Sequence, residues 1–269
     1  MKIISSKNKL IRLIHKERNL GFVPTMGAIH KGHISLIKKC IFQCNKTIVS
    51  IFVNKPQFNK INDFRKYPRF LNEDINKLKK LKVNYLYLPT NAQIYPNGIN
   101  KNIKINSFGK KLCGKFRPKH FESVVDVIDR FIKIIKPKKI YFGEKDMQQL
   151  KIIENFVKRN YLKIRIVGCK TVRERNGIAC SSRNFLLSQK DKKIASKIFK
   201  FLCHKKRALI KNIKLIKNFK KKILDLGASK VDYIQLLDIN KIMIPRVKKN
   251  KYKIFVAYYL RTTRLIDNI

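Results

Sequence analysis

The first two thirds of the chain alternate between helical and extended patterns of apolar residues. Apolar positions three or four residues apart predict amphipathic helices, and short β-branched runs predict strands buried on both faces. The predicted helices are Lys7–Arg18, His33–Cys44, Leu71–Leu81, Val124–Ile135 and Met147–Tyr161. The predicted strands are Gly21–Thr25, Thr47–Val53, Val83–Leu88, Lys139–Phe142 and Lys163–Val167. This alternation predicts an α/β fold in which helices cover both faces of a parallel sheet.

The last third has a different pattern. Two strongly basic helices, Gln189–Leu209 and Leu215–Leu226, precede two β-rich runs, Val231–Leu237 and Tyr252–Leu260. We therefore predict two domains, although no Pro/Gly-rich linker marks the boundary. A Rossmann-like domain is expected over residues 1–171, and a smaller C-terminal α/β domain that closes over the site is expected over residues 172–269.

Three polar segments follow predicted strands. They are Pro24–His33, Asn54–Phe58 and Gly143–Gln149. Parallel sheets bind ligands at the carboxyl ends of their strands, so we expect these segments to meet in one site.

Composition limits the class of protein. Hydrophobic residues make up 44% of the chain, as in ordinary globular proteins. No apolar run is long enough to cross a bilayer, and Met1–Lys9 lacks the features of a signal peptide. We expect a soluble cytoplasmic protein with no membrane partner. The six cysteines are scattered without a CxxC pair, so neither a metal site nor a disulfide framework is expected.

The charge is unusual, with 64 Lys and Arg against 16 Asp and Glu and a formal net charge of +48. A nucleic-acid-binding protein would show clustered charge, stacking aromatics or a known motif. The basic residues are instead spread over the whole chain, which favours compositional drift toward Lys, Asn and Ile. We expect no specific nucleic-acid partner. The positive field should still speed the arrival of anionic substrates.

The segment Pro24–His33 reads PTMGAIHKGH and joins a predicted strand to a predicted helix. Glycine lets the backbone approach a phosphate closely. We expect the N–H groups at the helix start to be free to bind the anion, which the helix dipole also favours. His30 and His33 lie three residues apart, so both rings can donate hydrogen bonds to one phosphate chain. The segment predicts a site for the phosphates of ATP.

This segment resembles the PTMGALHxGH signature of pantothenate synthetases, a family of the HxGH nucleotidyl-transfer superfamily. Further islands resemble the same family, in the same order, over nearly the whole chain. They are Ser50–Asn54, Gln57–Phe58, Tyr67–Arg69, Ile94–Gly98, Phe142–Asp146, Gln148–Leu150, Ser181–Asn184 and Arg264–Asn268.

The resemblance implies the ATP-dependent condensation of (R)-pantoate with β-alanine to pantothenate, AMP and pyrophosphate. A carboxylate is a poor electrophile, so the pathway would pass through pantoyl adenylate, and neither step needs a nucleophile from the enzyme. The resemblance also implies Mg²⁺ bound with ATP, and a homodimer. The alternative enzyme is another HxGH nucleotidylyltransferase, whose product keeps the nucleotide. Gln57, Gln149 and Ser181–Asn184 argue against it.

Site roles follow from the motif residue by residue. ATP contacts are implied for Met26, Gly27, Ala28, Ile29, His30, Lys31, Gly32, His33, Gly143, Glu144, Lys145, Asp146, Val172, Cys180, Ser181, Ser182 and Arg183. His30, His33 and Lys145 are the implied catalytic residues, with His33 as proton donor or charge stabiliser. Gln57 and Gln149 are implied to bind the pantoate and β-alanine substrates, because a neutral amide can both donate and accept.

Two segments depart from the family pattern. The proline of FVNPxQF is shifted by one place to Pro56, which we expect to tilt Gln57. In the stretch that resembles ARPGHF, Lys119 replaces the glycine and is strained if the turn needs a positive φ. The neighbouring Arg117 and His120 are implied contacts of a flap over the site. An acidic residue often found upstream is Cys113 here.

Overall fold

The computed structural model describes residues 1–239 and 251–269. Six parallel strands form the larger sheet, in the order β1-β4-β3-β2-β5-β6. They are β1 Lys2–Ile4, β2 Leu20–Thr25, β3 Lys46–Ile51, β4 Tyr85–Tyr87, β5 Lys139–Gly143 and β6 Arg165–Cys169. Three antiparallel strands form a second sheet: β7 Lys230–Asp238, β8 Tyr252–Leu260 and β9 Thr263–Asn268.

Ten α-helices are described. They are α1 Lys7–Ile14, α2 Lys31–Gln43, α3 Ile61–Arg65, α4 Leu71–Lys80, α5 Asn91–Ile94, α6 Cys113–Phe116, α7 His120–Ile135, α8 Met147–Asn160, α9 Gln189–Lys211 and α10 Ile216–Asp225. Several begin at side-chain caps, with Ser6 before α1 and a capping box at Ser188 before α9. The predicted helices are present with shifted ends, the largest shifts being the earlier end of α1 and the earlier start of α7.

Alternating residues of each central strand enter two different cores. On β2, Phe22 packs with α7 on one face of the sheet, and Val23 packs with α2 on the other. On β3, Ile48 and Val49 divide in the same way. A strand buried on both faces needs apolar residues at every position, which explains the continuous runs in the sequence. The prediction of helices on both faces of a parallel sheet is confirmed.

The strand order positions the site. β2 pairs with β3 on one side and with β5 on the other. The chain runs from β2 to β3 and β4 on one side, and then crosses from β4 to β5 and β6 on the other side of β2. Ligands of such sheets bind where the strand order reverses, at the carboxyl ends of the strands. The Pro24–His33 and Gly143–Gln149 segments both begin at this point.

The smaller sheet contains one strand more than the two predicted. β9 pairs with β8 at the edge of that sheet, and β1 is likewise an unpredicted edge strand of the larger sheet. Tyr233 and Phe255 of the smaller sheet pack into the main core, so the two sheets share an apolar contact. The domain division at residue 171 stays a prediction. No helix within residues 1–239 and 251–269 is long and apolar enough to cross a membrane.

Candidate active site

A cleft lies at the carboxyl edge of the parallel sheet and encloses a cavity of about 220 Å³. Its walls come from the loops after β2, β3, β5 and β6, and from one face of α7. The predicted site residues that line it are Met26, His30, Gly32, His33, Gln57, Gly143, Lys145, Asp146, Gln149, Val172, Cys180, Ser181, Ser182 and Arg183. The fold therefore brings most of the sequence motifs into one place.

Asp74 of α4 holds the backbone of the loop after β2. Its carboxylate is 1% exposed and accepts the N–H groups of Ala28 and Ile29, each at 2.7 Å. Lys77, one turn further along α4, donates to the Ile29 carbonyl at 3.1 Å. Gly27 and Ala28 have φ values of 82° and 50°, a left-handed conformation that costs a residue with a Cβ free energy. The helix α4 thus fixes an otherwise unfavourable turn.

The expectation that the N–H groups at the start of α2 are free for a phosphate is wrong for Gly32 and stays a prediction for Lys31 and His33. The N–H groups of Ala28 and Ile29 are donated to Asp74, and the Gly32 N–H is donated to Nδ1 of His30 at 3.1 Å. Buried N–H groups need a partner whether or not a ligand is bound. Gly27, Ala28 and Ile29 are buried behind the cleft wall, and Lys31 is exposed beside it.

His30 and His33 stack, with ring centroids 3.9 Å apart and planes 26° apart. Burial, and next the nearby charge of Lys145, lower the pKa of His30 to about 4. Burial, followed by His30 and Lys145, lowers the pKa of His33 well below its ordinary value. Both rings are therefore neutral at pH 7. His30 accepts at Nδ1 and so carries its proton on Nε2.

The turn after β5 carries a positive charge to the same cleft. The residues Glu144–Asp146 form a single 3₁₀ turn before α8. The Lys145 ammonium pairs with the Asp146 carboxylate at 3.1 Å, and their side chains are 16% and 43% exposed. Glu144 lies outside the lining of the cleft, on the side of Gly168. Lys145 is close enough to lower the pKa of both histidines. Its ammonium and the two imidazole rings therefore face the same part of the cleft.

The segment after β6 closes the cleft. The Cys180 N–H donates to the Val172 carbonyl at 2.9 Å, which joins two of the residues implied to contact ATP. The Ser182 hydroxyl donates to the Ala28 carbonyl at 3.4 Å and ties this segment to the loop after β2. Ser181 accepts the Arg183 N–H at 3.3 Å and begins a 3₁₀ turn. Each of the two hydroxyl groups thus already forms one hydrogen bond within the protein.

Gln57 faces the cleft from the 3₁₀ turn Lys55–Gln57, which contains the shifted Pro56. Asn54 donates to its Oε1 at 3.2 Å, and its own Nε2 donates to Met26 Sδ at 2.8 Å. Asn54 is buried and accepts the Tyr95 hydroxyl at 2.7 Å. The carboxamide of Gln57 therefore has one fixed orientation despite the shifted proline.

The flap residues hold the same segment from behind. The Arg117 guanidinium donates to the Gln57 carbonyl at 3.0 Å, and His120 Nδ1 lies 2.8 Å from that oxygen. Burial, and then Arg117, lower the pKa of His120 well below its usual range. Burial lowers the pKa of Arg117 to about 10. Lys119 has φ 60° and precedes α7, so this turn does require the conformation that a glycine adopts freely.

The sequence did not identify several residues of the site. Asp74 is buried and acts through the loop after β2. Asn54 lies in a segment that the sequence placed in the site but was given no role there; it is buried at the cleft and holds Gln57. Apolar side chains also line the cleft: Phe52, Val124, Val127, Ile128 and Phe131. The spacing of the last four identifies one face of α7, but spacing alone does not distinguish a core face from a cleft wall.

Comparison with known proteins agrees with this geometry. The profile of the pantoate-beta-alanine ligase family matches residues 2–269. The pantothenate synthetase of Sulfurihydrogenibium sp. is 38% identical over 97% of this chain and 95% of its own length. The pantothenate synthetase of Azobacteroides pseudotrichonymphae is 40% identical over 99% of this chain and 97% of its own length.

Solved structures give the same result. The pantoate-beta-alanine ligase of Francisella tularensis, solved with beta-gamma ATP and beta-alanine, has a TM-score of 0.84 and 36% identity, covering 100% of this chain and 97% of its own. The pantothenate synthetase of Thermus thermophilus has a TM-score of 0.91 and 29% identity, covering 100% and 99%. The chain therefore belongs to the pantoate–β-alanine ligase family.

Proposed function

We propose that the protein condenses (R)-pantoate with β-alanine at the expense of ATP. The products are pantothenate, AMP and pyrophosphate, and the intermediate is pantoyl adenylate. One observation supports this most strongly: the stacked histidines, Lys145, Ser181–Arg183, Gln57 and Gln149 all line one cleft. The reaction needs groups for phosphates and groups for a hydroxy acid within reach of each other, and this cleft offers both.

The first step is adenylation. A carboxylate oxygen of pantoate forms a bond to the α-phosphorus of ATP, and the bond from that phosphorus to pyrophosphate breaks. Charge grows on the phosphate oxygens as this happens. His30 and His33 donate hydrogen bonds as neutral rings, while Lys145 and Arg183 supply positive charge.

Pantoate binding combines polar and apolar contacts. Gln57 and Gln149 are assigned to its hydroxyls and carboxylate, since an amide serves both donors and acceptors. The wall formed by Val124, Val127 and Ile128 suits its two methyl groups. Asn54 and Met26 hold the Gln57 amide in place before pantoate arrives, which reduces the cost of ordering it on binding.

The second step joins the amine of β-alanine to the acyl carbon. The C–N bond forms, the bond between that carbon and the AMP oxygen breaks, and the nitrogen releases a proton. A smaller cavity of about 110 Å³ adjoins the cleft and shares Gln57 and Gln149 with it. Arg117 and Arg183 also line this cavity and suit the carboxylate of β-alanine.

We also propose that Mg²⁺ enters with ATP. Mg²⁺ in nucleotide sites keeps several waters and is held by phosphates with one or two carboxylates. Asp146, partly exposed at the cleft beside Lys145, is a carboxylate of this kind. A homodimer is proposed from the family resemblance and is tested by sedimentation velocity.

The test is to incubate the protein with ATP, Mg²⁺, pantoate and β-alanine and to measure AMP and pantothenate. Both should form in equal amounts. Without β-alanine, pyrophosphate should appear in an amount comparable to the enzyme, because pantoyl adenylate stays bound. Folded protein that forms neither AMP nor pyrophosphate would overturn the proposal. A product that retains the nucleotide would instead indicate a nucleotidylyltransferase.

A further inference from the structure

The island Arg264–Asn268 near the C-terminus lies outside the lining of the larger cleft, although Ile266–Asn268 border the smaller cavity. It forms most of β9, the edge strand of the smaller sheet. We propose that Asp267 and Asn268 are positioning residues, which hold the two phosphate-binding segments of the cleft in register. This assignment rests on the proposed ATP-dependent function and concerns the contacts by which these two residues act on the Lys145 turn and on the Ser181–Arg183 loop.

Asn268 holds the Lys145 turn through the backbone. Its side-chain Nδ2 donates to the Glu144 carbonyl at 2.8 Å and to the Lys145 carbonyl at 2.7 Å. Its Oδ1 accepts from the Lys253 ammonium at 2.8 Å. An amide group has two N–H donors, and both are used here. Lys253 fixes which end of the amide faces the turn, because an ammonium can only donate.

The turn itself is short. The residues Glu144–Asp146 span one 3₁₀ turn without a side-chain cap. Asn268 is 2% exposed, so water does not replace its contacts. A buried carbonyl without a partner is costly. The position of Lys145 in the cleft therefore depends on an amide about 120 residues further along the chain.

Asp267, the preceding residue, holds the other segment. Its carboxylate forms a two-point ion pair with Arg173, at 2.7 and 2.9 Å. Arg173 also donates to the Gly177 carbonyl at 3.0 Å and lies over the Phe199 ring at 4.2 Å. Its backbone is bridged to Ala179, just before the Ser181–Arg183 loop. Paired planar groups of this kind fix geometry as well as distance.

Two adjacent residues of one strand thus hold two segments that meet across the cleft. Lys145 belongs to one segment and Arg183 to the other, and both line the same cavity. A displacement of about 1 Å at such a site lowers reaction rates by up to about 100-fold. The register of β9 against β8 therefore sets the spacing between two charges in the proposed adenylation site.

Binding of a non-hydrolysable ATP analogue, measured by calorimetry, tests the Asn268 contact. Asn268→Ala should weaken binding by about tenfold in the wild-type background, because Lys145 is displaced. In a Lys145→Ala background the same change should weaken binding by less than about threefold, because the displaced group is gone. Equal effects in both backgrounds, or no effect in either, would overturn the proposal.

Ile223→Ala provides the matched control. Ile223 is fully buried in the core of the smaller sheet and its helices, away from the cleft. It should lower the thermal midpoint at least as much as Asn268→Ala and leave the affinity for the analogue unchanged. An equal loss of affinity in this control would show that general loosening of the C-terminal part explains the effect. Wild-type protein that binds the analogue but forms no AMP would reject the proposed function and leave the binding comparison valid.

Discussion

The loop after β2 and the turn after β5 start at neighbouring strand ends and face the same cleft, yet they are held in opposite ways. In the β2 loop, a buried carboxylate of Asp74 takes the backbone N–H groups, and the cleft receives two neutral imidazoles. In the β5 turn, the amide of Asn268 takes the backbone carbonyls, and the cleft receives the ammonium of Lys145.

The difference indicates a division of labour. The β2 loop offers uncharged hydrogen-bond donors in a fixed frame, which suits geometric recognition of a phosphate chain. The β5 turn offers charge, which suits the stabilisation of negative charge as it develops. Both sequence motifs predict phosphate binding, but only the three-dimensional contacts show that one presents two stacked, neutral rings to the cleft and the other presents an ammonium group.

Removal of the charge at Lys145 should have the largest effect. Lys145→Met is expected to lower kcat/KM for ATP by about 10²- to 10³-fold, the usual cost of losing one transition-state contact. Its ion pair with the half-exposed Asp146 should contribute less than about 1 kcal/mol to stability. Steady-state kinetics and urea unfolding measure the two quantities. Lys38→Met, on the exposed side of α2, is the control, and equal rates for both variants would remove Lys145 from the mechanism.

Asp74→Asn should have the next largest effect, and it should act on stability first. An amide can accept only one of the two N–H groups and presents its own N–H₂ to the other, so we expect a loss of about 2 kcal/mol. KM for ATP should rise as well, because the turn at Gly27 and Ala28 is no longer held. Urea unfolding at pH 7 measures the first effect. Glu73→Gln, the exposed neighbour on α4, is the control, and an equal change in both would show that Asp74 does not hold the loop.

The same contrast shows what the sequence could predict. The central strands were predicted because burial on both faces requires continuous apolar runs, as at Thr47–Val53. The short β1 and the mixed polar sequence of β9 lack such a run, and their pairing depends on strands far away in the sequence. The start of α7 was missed because its first turn contains the polar flap residues His120 and Glu122, which do not continue the apolar spacing.

The site was predictable where a residue touches the cleft within a local motif. His30, Lys145 and Gln57 belong to such motifs, and all three line the cleft. Asp74 and Asn268 act on backbone atoms that lie about 45 and 120 residues away along the chain. No local pattern encodes a contact of that kind. The N–H group of Gly32, expected to be free at the start of α2, was wrong for another reason: its partner, Nδ1 of His30, is two residues away, but the sequence does not show how that ring is oriented.

The β2 loop should also respond to acid. Burial and Lys145 lower the pKa of His30 to about 4, so the unfolded chain binds a proton at higher pH than the folded protein does. The stability that this shift contributes is present above about pH 6.5 and is lost as the pH falls toward 4. Wild type should lose about 2 kcal/mol relative to His30→Gln between pH 7 and pH 5. Urea unfolding at both pH values measures this, and parallel losses in the two proteins would contradict it.

The smallest effect concerns salt and separates the two loops directly. Salt screens charges over about 10 Å at 0.1 M, and only in part where a charge is as little exposed as the 16% of the Lys145 side chain, whereas hydrogen bonds from neutral rings are affected little. The wild-type advantage over Lys145→Met in kcat/KM for ATP should therefore shrink by roughly two- to threefold between about 0.05 and about 0.5 M salt. The diffuse field of the +48 chain is nearly identical in both proteins and cancels in the ratio. If the ratio of the two kcat/KM values does not change with salt, Lys145 acts through a short-range contact that salt does not screen, as the histidines do. The proposed contrast between a β2 loop that offers neutral donors and a β5 turn that offers charge would then be wrong.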